Sequence, residues 1–372
     1  MLALTIKKDD LAKGVGQTSA IAEKRSSMPI LSNILLEAAE GELKLTATDM
    51  EISFQGSYPA EVSEAGRITV PARKLNEVVR LLSTEEVSLS EAANYSLGLS
   101  AGQFSTQMYG LSPADFPQMP PVDNIQYIDI EGPALAGVID KTIFSVALEE
   151  TRYNLSGVFV EKVEYEGNLC LRFVSTDGHR LNMAGIYTPD LANLELLKGV
   201  LISKKGLNEL KRLADAAEMI KIGVTSSSLV AKTGSAVLVM RLLDGRFPDY
   251  NMVLPKDNDK HVMAGRKELL EALKRISTMS SDDYKAVKFK VEPGRLTISS
   301  MTPELGKAEE SLAVEYDGPV LEAGFNPRFF IEALSALVSE KIKISLFDSE
   351  KPALITAAED PGYSGVIMSM KI

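Results

Sequence analysis

Residues 175–181 read Ser-Thr-Asp-Gly-His-Arg-Leu and contain His179, one of only two histidines in 372 residues. An aspartate two places before a histidine, with an arginine beside it, could form a catalytic or metal-binding cluster, and a metal-dependent hydrolase centred on Asp177 and His179 is one reading. The other is a turn. Asp-Gly is a strong turn dipeptide, and Gly178 can take the positive φ that such a corner needs. His179, Arg180 and Leu181 would then project from a rigid corner as a docking surface. The rest of the chain favours the turn. It has no G-x-x-x-x-G-K-[ST] loop, no G-x-G-x-x-G, no H-E-x-x-H and no C-x-x-C pair. Two histidines and one cysteine are a poor supply for a zinc or nucleophile site. The reading is a non-enzyme without metal or cofactor.

The elements that must position this corner recur three times. An amphipathic start appears at 6–15, 134–147 and 267–277, with apolar residues at three- and four-residue spacing. An alternating strand running into a short polar segment appears at 43–49, 171–177 and 296–302. A strand feeding a second helix appears at 68–82, 200–214 and 321–337. A last strand with an ordered tail appears at 104–120, 238–255 and 366–372, so the C-terminal tail is expected to be ordered. Pro-rich connectors at 117–124 and 253–260 mark the joints. The spacing predicts an α+β fold of three repeated domains, 1–124, 125–257 and 258–372, each with two helices covering one face of about eight antiparallel strands.

The chain is acidic, with a net charge of −11, which taken whole argues against nucleic acid as a partner. The charge is unevenly spread, however. The six helical windows 7–25, 71–82, 132–154, 203–218, 265–277 and 326–341 together carry +6, which leaves −17 elsewhere. Glutamate forms helices as well as lysine does, so propensity does not explain the bias. Helices gathered on one surface facing a polyanion would. With Cys170 as the lone cysteine, no intrachain disulfide can form and a reducing compartment is expected. No signal-peptide pattern and no apolar run of ~20 residues is present, and a cytoplasmic location is expected.

In its motifs the chain resembles the β subunit of bacterial DNA polymerase III, the sliding-clamp family, along its whole length. The carriers are S-T-D-G-H-R-L (175–181), V-P-A-R-K-L (70–75), D-G-R-F-P-D-Y (244–250), R-Y-N-L-S-G (152–157) and V-I-M-S-M-K-I (366–372). The resemblance implies DNA-clamp domains assembled as a head-to-tail homodimer, a closed ring of six domains lined by helices. A domain of this size has a diameter of about 35 Å, and six in a ring leave a hole of about the same width, ample for duplex DNA. It implies partners: double-stranded DNA held without sequence preference, the replicative polymerase, a clamp loader and other proteins that insert a short peptide.

By the same resemblance, Arg25, Arg73, Tyr153 and Asn154 face DNA, and Lys204 and Lys205 are added as the start of a lining helix. The peptide pocket comprises Leu155, Thr176, Gly178, His179, Arg180, Leu181, Pro248, Val253, Val366, Met368 and Met370, with His179 and Arg180 offering donors at its rim. The dimer contact joins Thr278 and Met279 to Lys74, Phe104 and Thr106. The chain departs from the family at Ser369, where proline is common, at Lys371-Ile372, which replaces Arg-Leu, at Met252, at Asn154 and at Glu149. A rival from another class is a repeat scaffold that binds proteins only.

Overall fold

The computed structural model describes residues 1–22, 27–147, 153–165, 167–196, 198–279, 286–303 and 305–371, with Tyr153 described by its backbone alone. Among the described residues each third of the chain holds two α-helices and eight strands. The helices are α1 (Lys8–Ile21), α2 (Ala72–Leu81), α3 (Gly132–Asp140), α4 (Lys204–Asp215), α5 (Arg266–Ser277) and α6 (Pro327–Ala336). The expected strand-to-helix entries hold: 66–71 feeds α2, 200–203 feeds α4 and 321–325 feeds α6. Asn326 caps α6 by accepting from the Arg328 N–H at 3.0 Å, and Pro327 takes the first helical position, where no N–H is needed. In α5 the buried residues Leu269, Leu270, Ala272, Leu273 and Ile276 form the apolar stripe that the spacing predicts.

One helix is shorter than its pattern. The apolar spacing runs to residue 147, yet α3 ends at Asp140 and only a 3-10 turn, Ile143–Ser145, follows. Thr142 turns its hydroxyl back onto the Val138 carbonyl at 2.8 Å, and Ser145 and Ser175 share a hydrogen bond. Short hydroxyl side chains compete with the helix ladder in this way.

The described residues gather into two compact units that do not follow the repeats. One contains Met1–Gly132, Asn193–Glu195 and Arg212–Leu242; the other contains Pro133–Ala192, Leu196–Lys211 and Leu243–Ile372. Strand pairing across the joints accounts for the division. In the first unit the strand 52–64 pairs antiparallel with 236–241, building a 12-stranded sheet from two repeats. In the second, 180–187 pairs with 364–367, building an 8-stranded sheet from the second and third repeats. A 4-stranded sheet completes that unit, its edges being 306–313 and 321–325.

Each unit has its own core. In the first, Leu11 and Val15 of α1 and Leu75 and Val79 of α2 pack on Leu36, Leu43, Leu45, Ile68 and Val70 of the sheet. In the second, Phe289, Phe325 and Phe330 cluster, with ring centroids 4.9 to 5.4 Å apart. Among the described residues no helix is long and apolar enough to cross a membrane.

Candidate functional site

The corner at 176–181 is a turn locked by its own side chains. Thr176 accepts from the Gly178 N–H at 3.1 Å and donates to the Arg180 carbonyl at 2.6 Å. Asp177 accepts the His179 and Arg180 N–H groups on one carboxylate oxygen, at 3.0 and 3.1 Å, and the Arg180 Nε on the other at 2.9 Å. Gly178 sits at φ 89°, where a side chain would be strained. Both Asp177 oxygens are therefore held within the chain, so the metal reading loses its carboxylate. His179 is left exposed.

The first repeat builds the same corner from different residues. Thr48 accepts from the Met50 N–H at 3.0 Å, and Asp49 accepts from the Glu51 and Ile52 N–H groups at 3.0 and 2.6 Å. Met50 takes the positive φ, 73°, in place of glycine. The Thr-Asp pair is thus common to the first two repeats, and what varies is what the corner presents.

At the second corner, Leu155, Leu181 and Val366 are buried in one cluster with Val174, Leu201, Phe247 and Tyr250. Leu181 stands directly opposite Val366 in the strand pairing between repeats. Phe247 stacks on Phe159 at 5.0 Å. Beside this apolar floor, Val253, Met368 and Met370 are 48%, 41% and 36% exposed, and Pro248 is exposed. Val174, Leu201, Phe247 and Tyr250 were not singled out from the sequence. Phe247 and Tyr250 lie inside the D-G-R-F-P-D-Y motif that was, and Val174 is the inward residue of the alternating strand before the corner. Tyr250 donates to Glu161 and accepts from Arg172 at 3.2 Å; burial first, then the Glu161 contact, pushes its hydroxyl up to about 12.

Arg180 differs from its expected role. It is 6% exposed, and its guanidinium binds Asp177, Glu332 and, at 2.8 Å, the Phe144 carbonyl. The Phe329 ring lies 4.5 Å from it. It is therefore no donor at a rim. It bolts the corner to α6, because five N–H donors fanned in one plane can reach three acceptors at once.

The described residues expected to face DNA lie on separate elements. Arg73 and Lys74 lie exposed in the first turn of α2, paired with Glu77 at 2.9 and 2.7 Å. Lys204 and Lys205 open α4, and Asn154 is exposed. Arg25 and Glu149 lie outside the described residues, as does the side chain of Tyr153. Within the helix bounds there are fourteen basic and nine acidic residues, a net of +5 against −16 for the rest of the chain. The excess belongs to α2, α4 and α5, at +2 each, while α1 and α6 are neutral and α3 carries −1.

Of the expected contact residues, Phe104 and Thr106 lie on 104–109, which among the described residues pairs with 96–101 only and ends its sheet. Thr278 and Met279 follow α5, and the Met279 carbonyl accepts from Ser300 and Thr302, which fixes them over the 4-stranded sheet. That sheet ends in 306–313.

Residues 2–120, 129–249 and 251–371 match, in that order, the N-terminal, central and C-terminal domains of the DNA polymerase III beta subunit. The chain belongs to this family. The beta sliding clamp of Caulobacter vibrioides is 34% identical over 100% of both chains, and that of Escherichia coli K12 is 31% identical over 100% of both. Among solved structures, the Caulobacter crescentus clamp matches with a TM-score of 0.91 and 34% identity, covering 100% of both chains. The Bartonella birtlesii clamp, bound to griselimycin, matches with a TM-score of 0.93 and 32% identity over the same coverage. The three repeats are three clamp domains.

Proposed function

We propose that two copies of this chain close head to tail around duplex DNA and tether the replicative polymerase to it, conferring processivity without catalysis, in the cytoplasm. The observation that carries this reading is that 104–109 in the first repeat and 306–313 in the third each end a sheet, paired on one side among the described residues. Heterologous edges on one chain pair with a second copy and can close a ring. The domains divide as 1–124, 125–257 and 258–372. Arg25, Arg73, Tyr153, Asn154, Lys204 and Lys205 face the phosphates. These contacts stay weak and sequence-independent, because the topology of the ring does the holding. Partner peptides enter over Leu155, Leu181 and Val366, between His179, Pro248, Val253, Met368 and Met370, and an adaptable methionine pair suits varied ligands.

The test is topological. The protein is loaded onto nicked circular duplex with a clamp loader, and retention is measured before and after one cut that linearises the circle. Retention followed by release on cutting is expected. Equal retention on both forms would replace the ring with an ordinary DNA-binding surface. The triple reversal Arg73→Glu, Lys204→Glu, Lys205→Glu is expected to lower the amount retained on the circle, by weakening loading, while leaving griselimycin binding intact. A protein-only scaffold would show no retention for the reversal to lower.

A further inference from the structure

We propose that Ser369 is a positioning residue: its hydroxyl fixes the rotation of the C-terminal tail so that Met368 and Met370 together form one wall of the peptide pocket. This rests on the pocket reading above. The tail leaves the strand 364–367 and is held at two backbone points. The Met368 N–H donates to the His179 carbonyl at 3.0 Å, and the Met370 N–H donates to the Gly324 carbonyl at 2.8 Å. Two anchors on one line allow the segment to roll about the axis that joins them. Ser369 lies between them, and its hydroxyl donates to the Glu350 carbonyl, a third point off that axis.

The third anchor is itself braced. Asp348 accepts the Glu350 and Lys351 N–H groups at 2.9 and 2.8 Å, and the Lys351 ammonium lies 3.8 Å from the Phe347 ring centre. In extended chain, alternate side chains point to opposite sides. Tying Ser369 to Glu350 therefore turns both methionines the other way. Their unbranched side chains have many rotamers, so a common direction has to come from the backbone. The corner enters the same arrangement, since the tail's first anchor is the carbonyl of His179.

The experiment uses the full-length protein labelled at methionine methyl carbons, with Met368 and Met370 assigned through Met368→Leu and Met370→Leu, and griselimycin as the probe. In the parent protein both methyl signals are expected to move on titration. Ser369→Ala should bind about fivefold more weakly, equivalent to one hydrogen bond of about 1 kcal/mol. Its two methyl signals should shift toward averaged positions in the free protein, at unchanged melting temperature. Ser369→Thr, which keeps the hydroxyl, should restore both. Parent-like affinity and unmoved methyl signals in Ser369→Ala would overturn the inference. Binding that leaves both methyl signals of the parent protein unmoved would instead remove the pocket reading, and this inference with it.

Discussion

Arg180 and His179 are neighbours in the sequence with opposite tasks. Their motif gives no hint of this, since each looks like a donor at the tip of a turn. Strand alternation separates them: His179 ends the turn outside the sheet, while Arg180 opens the strand 180–187 and points inward. Two of its three acceptors lie far off in the sequence, on α6 and after α3, which is why its burial was not legible. Replacing Arg180 with methionine should leave Asp177 and Glu332 without their shared cation, at 21% and 25% exposure. Breaking such a pair costs about 3 kcal/mol, and thermal unfolding should show the loss. His179→Ala, at an exposed position, should stay within about 0.5 kcal/mol of the parent protein while weakening griselimycin binding. Equal destabilisation by the two variants would contradict this division of roles.

Helices and strands were legible because their periods survive in each repeat separately, and three imperfect copies in register reinforce one another. What did not show was where elements end against side chains from another repeat. The end of α3 is one case, and the residue after it is another. Lys141 pairs with Asp360 of the third repeat at 2.7 Å. Asp360 is buried, and it also accepts from the Val338 N–H at 3.1 Å, the Ser339 N–H at 2.9 Å and the Ser339 hydroxyl at 2.7 Å. One carboxylate therefore joins the end of α3 to the segment after α6. Burial works to raise its pKa, but the Lys141 and Ser339 contacts outweigh it and hold the group below its ordinary 3.8. A depressed folded-state pKa means that the unfolded chain takes up the proton first. The stabilisation is thus complete above 3.8 and is lost as pH falls through the depressed value. The parent protein should exceed Asp360→Asn by about 2 kcal/mol at neutral pH. The gap should shrink as melts are repeated at pH values below 3.8. A gap that stays constant across the acid range would show that the carboxylate is not the linking group.

At the scale of the whole molecule the sequence shows three repeats but hides how they share sheets. A one-dimensional pattern says which strands exist, and pairing across a joint is decided by partners more than 150 residues apart, as Arg180 and Ile367 are. The same blindness covers the outer strands, whose proposed partners belong to a second copy. The strand 104–109 presents Phe104, 46% exposed, beside a row of backbone groups with no neighbour on that side among the described residues. Unpaired edges of this kind invite another strand. The edge proposed to meet it, 306–313, carries Glu309 and Glu310. Phe104→Glu would remove apolar area and bring a carboxylate toward two others, and like charges facing one another across a strand pair are unfavourable. Sedimentation equilibrium should show the variant as a monomer where the parent protein is a dimer. Its melting should be nearly unchanged, because Phe104 lies outside the core. Retention on nicked circular DNA should fall to the level of linear DNA, since a chain that cannot close has no topological hold. Phe104→Lys should keep more of the dimer at low salt and lose it as screening rises. A Phe104→Glu protein that remains dimeric and stays on the circle would move the ring contact away from this edge.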